Sequence, residues 1–305
     1  MPGQHGSRQG GAHVGVEMQP EPVVSTGPAD LPAGPSTVIT AGSGRTLAGL
    51  CEAWQYRELL YFLVWRDLKV RYKQTVLGAL WAVIQPLASA VIFTVVFGMF
   101  VKVPSEGVPY PLFAYLGLLP WQLFAFALTE STASVVVHER LLKKVYFPRL
   151  YLPLTPVLGA VVDFAVASVV AVALLLAYRV RLGAGLLALP LLIAAVLVCA
   201  FAVSVWLAAL NVKYRDVRYA VPFLVQVWFF ATPIVYSSSL IPAHLRPWWA
   251  LNPMGSIVDG FRWALLGTPL PQPLALLVSA GVTLTLLAGG VAYFRRVEVT
   301  IADLV

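Results

Sequence analysis

The sequence predicts an all-α polytopic membrane protein, and three observations carry that expectation. Of its 305 residues, 59% are hydrophobic and only 11% charged, whereas soluble domains carry about 25% charged residues. Apolar stretches of the length a bilayer crossing requires, about 20 residues, recur along the chain. The third observation is local. Arg66, Lys69, Arg71 and Lys73, with Asp67 the one acid among them, run without a turn signal into an apolar stretch whose next charge is Lys102. Cations at the foot of a hydrophobic helix hold that foot in the cytoplasm.

The elements follow in order. Residues 1–45 are rich in Gly, Pro, Ser and Gln, too polar to bury a core, and read as a disordered cytoplasmic tail. The N-terminus shows no signal-peptide pattern, and residues 46–305 form the membrane domain. Tyr56, Leu59, Leu60 and Leu63 recur at i, i+3, i+4 and i+7, with Trp54, Tyr61 and Trp65 beside them. That spacing predicts an amphipathic interfacial helix. Six transmembrane helices are expected over 76–101, 110–137, 150–178, 186–210, 219–236 and 273–294. The stretch 237–272 is broken by prolines, and within it Asn252-Pro253 and Gly267 offer an N-cap, a first-turn proline and a stop. Short re-entrant helices between spans five and six are the expectation there.

Charge supports one orientation. With the N-terminus inside, sixteen of the 21 Lys and Arg fall on inner segments and five (Lys102, Arg179, Arg181, Arg246, Arg262) on outer ones. Both termini are therefore expected in the cytoplasm. The formal charge of +7 follows from the same bias and from anionic headgroups, so nucleic acid is not an expected partner, whereas membrane lipids are.

Motifs for catalysis do not assemble. Gly42 to Thr46 lacks the first Gly (Ile39 stands there) and the Lys (Arg45) of a phosphate loop, and His138-Glu139 meets Leu142 where a zinc motif needs its second His. No metal and no cofactor is expected on this chain. Cys51 and Cys199 suggest neither disulfide nor metal site. Asp163 and Glu130 lie inside predicted spans, where an ionisable group is costly. They suit either a hydrophilic conduit or interhelical pairing, and no recurring Asp, Glu and His chain points to a proton pump. Of the aromatics, Trp81, Phe93 and Phe97 on the first span and Trp228, Phe229 and Tyr236 on the fifth are channel candidates for stacking on sugar rings; membrane anchoring and packing is the other use. Asp259 and Arg262, at i and i+3, pair on the outer short helix and are candidates to rim an outer gate. The loop His138 to Arg149 reads either as an amphipathic docking element ended by Pro148 or as an ordinary basic loop.

From about Tyr56 onward the chain resembles the permease subunits of type-2 ATP-binding-cassette exporters for polysaccharides, such as O-antigen and wall teichoic acid export permeases. Arg66-Asp67-Leu68-Lys69-Val70-Arg71-Tyr72, Leu77-Gly78, Trp81, Gln85-Pro86 and Pro120-Trp121 carry the resemblance. So do Lys143 to Arg149, Asn211, Tyr214-Arg215-Asp216-Val217, Thr232 to Tyr236 and Leu251 to Met254. Ile301-Ala302-Asp303 stands where the family usually has Phe-Ala-Asp, and the tail has no counterpart. The resemblance implies a homodimeric permease in the bacterial plasma (inner) membrane, with ATP and Mg bound by a separate ATP-binding-cassette ATPase. It implies that Glu139, Leu141, Leu142, Lys143, Lys144, Tyr146 and Phe147 form the ATPase-coupling helix. Arg66, Lys69, Arg71 and Lys73 would frame the substrate entrance for a polyprenyl-diphosphate-linked polysaccharide. Two other readings stay open: a membrane enzyme acting on polyprenyl-linked sugars, and an exporter of lipid or drug cargo.

Overall fold

A computed structural model describes residues 56–73, 80–142, 147–242 and 244–304. The expected tail, 1–45, lies outside the described residues. Every regular element among them is helical. Helix α1 spans Arg57–Lys73. Its predicted apolar face is the one that packs: Leu63 is buried, and Tyr56, Leu59 and Leu60 join it against a core. Tyr61, Phe62 and Trp65 stay exposed on the other side.

Helix α2, Trp81–Phe93, continues as a π-helical turn over Thr94–Phe100. Gly98 in that turn is required by its neighbour, because a Cβ there would meet the Tyr110 ring at 2.9 Å. Helix α3, Tyr110–Val137, matches its predicted limits and is the most buried of the long helices. It packs along α5, Tyr151–Ala177, and α6, Leu189–Lys213, and also touches α2. Between α3 and α5 lies the one-turn α4, Glu139–Leu142. Helix α6 is preceded by a 3-10 turn, Ala184–Ala188.

The fifth predicted span comes out shorter. Helix α7 covers Val217–Ala231, 15 residues, a rise of about 22 Å against a hydrocarbon core of about 30 Å. Pro233 ends it: proline has no N–H to donate, and it forces the residue before it out of helical geometry. Thr232 accordingly sits at φ −106°, ψ 137°, and the chain goes on as a bent strap. Five helices are long and apolar enough to cross a membrane among the described residues, and α7 with its strap forms the shorter sixth element.

The punctuated stretch that follows holds a 3-10 turn, Ser238–Leu240, the short α8, Arg246–Trp249, and α9, Pro253–Leu266. Helix α9 has the signals read from sequence. The Asn252 side chain accepts from Met254 N–H, Pro253 opens the helix, and Gly267 closes it at φ 70°. Helix α10, Pro273–Leu304, runs beyond its predicted end. It meets α6 where Trp206 fills the space above Gly289 and Gly290; a Cβ at Gly290 would lie 2.8 Å from the indole. The Trp206 N–H donates to Leu286 C=O at 2.8 Å. Small residues that let one helix approach another are the usual packing device in lipid, where no hydrophobic force drives helices together.

Among the described residues two large apolar cores result, beside a small cluster of Tyr110, Phe113 and Ala114. The larger runs through the middle of α3, α5, α6 and α9. The smaller gathers Leu63, Val135, Phe147, Tyr151, Leu152, Val205 and Phe294 at the end that carries the basic loops.

Candidate functional site

The four cations of the basic block, Arg66, Lys69, Arg71 and Lys73, divide into two pairs. Arg66 donates to Asp67 Oδ1 at 3.0 and 2.8 Å and lies 2.5 Å from His138 Nε2. A guanidinium only donates, so Nε2 accepts, and Nδ1–H donates to Ser134 C=O at 2.9 Å. Arg71 donates to Asp163 at 2.8 Å and stands 4.3 Å over the Phe126 ring. Tyr72 donates to the other Asp163 oxygen. Burial first, then that bond and the carboxylate's charge, push the Tyr72 phenol up to about 12, so it remains a donor at neutral pH. Lys69 and Lys73 are exposed and form no ion pair among the described residues. Half of the basic block thus holds α1 in place, and half faces outward.

Arg71, Tyr72 and Asp163 border a cavity of about 540 Å³ bounded by α1, α2, α3, α5 and Phe229 of α7. Glu130 enters it from α3 and Gln85 from α2. Three of the six channel candidates, Trp81, Phe93 and Phe229, line it; Phe93 stacks on Phe229 with centroids 5.6 Å apart. The other three lie elsewhere. Phe97 packs beside Tyr110 and Phe113. Trp228 is tethered through its N–H to Asn252 Oδ1 at 2.9 Å. Tyr236 donates to Phe230 C=O at 3.1 Å, at the end of α7. Aromatic faces beside amides and carboxylates are a surface on which a sugar ring can stack while its hydroxyls exchange hydrogen bonds.

The proposed coupling residues are also divided. Leu141 and Leu142 pack against the smaller core, while Lys143, Lys144 and Tyr146 lie outside the described residues. Phe147 is 3% exposed within that core, so it faces into this chain and presents nothing to a partner. The physical reason is its place just before α5, beside Tyr151 and Leu152, where an apolar ring buries more surface inward than outward. The loop is braced at both ends: His138 meets Arg66, and Arg149 donates to Glu298 C=O with its Nε 3.9 Å from the Glu298 carboxylate. Glu139 opens α4, where an acid favours the helix N-terminus.

At the opposite end, Asp259 and Arg262 do pair, at 3.6 Å, but they occupy different surroundings. Asp259 lines an outer cavity. Arg262 is 2% exposed and faces inward, not to a rim. It donates to Pro233 C=O at 2.7 Å and Ile234 C=O at 2.5 Å and lies 3.5 Å over the Phe113 ring. These carbonyls belong to the strap that proline excluded from α7, so Arg262 satisfies acceptors that the broken helix leaves without partners. Asn252 serves the rest of the break. Its Nδ2 donates to Ala231 C=O at 3.2 Å and Thr232 Oγ1 at 3.0 Å.

Sequence reasoning missed three participants. Gly117 makes room for Arg262, since a Cβ there would meet its Nη2 at 2.6 Å; nothing in Leu116-Gly117-Leu118 signals this. The tie from His138 to Arg66 spans 72 positions and leaves no local pattern. Tyr72 did carry a signal, as the hydroxyl next to Arg71 in a block already singled out.

The ABC-2 type transporter family model matches residues 58–266. The chain is 32% identical over 252 residues to the O-antigen export system permease protein RfbA of Myxococcus xanthus, covering 81% of this chain and 96% of that one. It is 30% identical over 249 residues to the protein of that name in Klebsiella pneumoniae, covering 81% and 95%. To the polysialic acid transport protein KpsM of Escherichia coli it is 22% identical over 241 residues, covering 76% and 91%.

Proposed function

The chain belongs to the ABC-2 type transporter family, and we propose that it is the permease subunit of an ATP-driven exporter of cell-envelope polysaccharide. The named relatives export O-antigen or transport polysialic acid, which supports a glycan as cargo. The observation that carries the reading is the inner cavity, where Trp81, Phe93 and Phe229 stand beside Gln85 and Glu130, at the end of a helix with two outward cations. Lys69 and Lys73 attract the diphosphate of a polyprenyl-linked polymer, and the aromatic and polar wall lets its sugars slide without tight binding.

ATP is bound and hydrolysed on a separate subunit, and two copies of this chain enclose the path in the plasma membrane. The basic loops face the cytoplasm. The ATPase grips the loop 139–146, and its closure is passed on through the braces at His138 and Arg149 to α1 and α10. A bistable arrangement of that kind is what a differential binding energy can bias.

The test is affinity purification from the native membrane in mild detergent. An ATP-binding-cassette ATPase is expected to accompany the chain at equal stoichiometry. The variant K143E/K144E/Y146A is expected to lose it while the permease still elutes as a folded dimer. A folded dimer without any ATPase, or a triple variant that retains it, overturns the coupling assignment.

A further inference from the structure

Several polar groups of the inner cavity can be served only from within it. Gln85 and Ser89, one turn apart on α2, line it together with Gln122 and Glu130 of α3. None of these four side chains has a hydrogen-bond or ion-pair partner among the described residues. Glu130 is exposed and lies about 10 Å along α3 from the helix end at Val137. An unserved amide, hydroxyl or carboxylate on a membrane-crossing helix is costly, so water or cargo must meet these groups.

The wall is also unbalanced in charge. Arg71 and Asp163 offset each other at 2.8 Å, and Tyr72 adds a neutral donor to the same carboxylate. Glu130 is then the one uncompensated charge among the lining residues, since Lys69 and Lys73 do not border the cavity.

Chemistry narrows the repeat unit that such a wall can pass. A repeat bearing a carboxylate, sulfate or phosphodiester meets Glu130 between apolar helices, where like charges repel more strongly than in bulk water. The lipid diphosphate passes once, but a charge on each repeat would meet the acid at every step. A free ammonium would be held by Glu130 through a charge-assisted hydrogen bond, which opposes sliding. An uncharged sugar suits the wall as it stands. Its hydroxyls donate to Glu130 and exchange hydrogen bonds with the Gln85 and Gln122 amides, while its C–H face rests on Trp81 or Phe229.

We infer that Glu130 sets the charge specificity of the exporter and that its cargo is a glycan with uncharged repeats. The inference rests on the polysaccharide-export reading and names the class of polymer within it.

The test uses the full exporter, permease with its ATPase, in proteoliposomes with the ATPase outward. Two fluorescent probes share one polyprenyl diphosphate: an oligosaccharide of glucose, and the same oligosaccharide with alternate glucoses replaced by glucuronate. ATP-dependent transport is read as protection of the fluorophore from dithionite added outside. The wild-type exporter is expected to move the uncharged probe at least about tenfold faster than the acidic one, the scale on which a close like charge discriminates between partners. In E130Q that ratio should fall towards one, and in E130D, which keeps the charge, it should persist. A variant that merely folds poorly slows both probes and leaves the ratio where it was. Equal transport of the two probes by the wild type, or faster transport of the acidic one, overturns the specificity and leaves the export reading intact. So does a ratio that E130Q leaves unchanged, or one that E130D loses as fully as E130Q. If neither probe moves while ATP is hydrolysed, the export reading falls and the specificity falls with it.

Discussion

Arg71, beside the inner cavity, and Arg262, at the outer end, each pair with a carboxylate, and on different terms. Arg71 pairs with the Asp163 carboxylate at 2.8 Å, and both partners remain about a quarter exposed. Arg262 is buried and engages the carbonyls of Pro233 and Ile234, more distantly that of Phe113, an aromatic face and Asp259 at once. A guanidinium at a wet border can exchange its carboxylate for a phosphate, since both fit its fork. One committed to carbonyls that have no other donor cannot move without exposing them. The inner end is built to be rearranged and the outer end to hold a break in place.

The largest break of that comparison is R262A. It leaves Asp259 without its cation and the Pro233 and Ile234 carbonyls without a donor, a loss of about 3–5 kcal/mol by analogy with broken buried pairs. The expected readout is a folded fraction in detergent that falls sharply in fluorescence-detected size exclusion. G117A should follow with a smaller loss, about 1–3 kcal/mol, because its Cβ would press on Arg262 Nη2 at 2.6 Å and on Ile234 O at 3.0 Å. If G117A is silent, the outer end is softer than its contacts imply.

Next comes a double-mutant cycle on R71M and D163N. A coupling energy between about 0.5 and 3 kcal/mol is expected, with the protein still folded and surface glycan reduced. A coupling near zero would mean that α1 is held by its apolar face and by the Arg66–His138 contact, without help from Arg71.

The smallest change in stability is expected for K69Q/K73Q, within about 0.5 kcal/mol, because neither lysine is paired among the described residues. Its effect should appear instead as weaker binding to vesicles containing anionic lipid, on the order of 1 kcal/mol per cation. A stability loss as large as that of R71M would erase the division of the basic block into holding and outward halves.

Legibility in the sequence followed the range of the interaction. The limits of α3, the buried face of α1 and the cap, proline and stop of α9 depend on neighbours three or four positions apart, and spacing revealed them. The candidate sites were read less evenly. Trp81, Phe93 and Phe229 face the inner cavity while Phe97, Trp228 and Tyr236 do not, although all six looked alike on the page. Phe147 looked like a docking residue and packs inward. Glycine in the sequence marks many things, and Gly117 as the space for an arginine was not among those that could be read.

By itself the sequence determined the class of the protein, its helical periods and the asymmetry of its charge. These follow from backbone geometry and from the cost of placing polar groups in lipid, which act locally. It did not determine which proline stops a helix, since the expected fifth span ran through Pro233 while Pro86, Pro120, Pro156 and Pro222 lie inside helices. The tertiary structure decided which cations are paired, which aromatics face a cavity and which side chains serve the carbonyls that Pro233 sets free. Such partners lie as far apart as Arg71 and Asp163 or Pro233 and Arg262, and a contact across that distance exists only after the helices have packed.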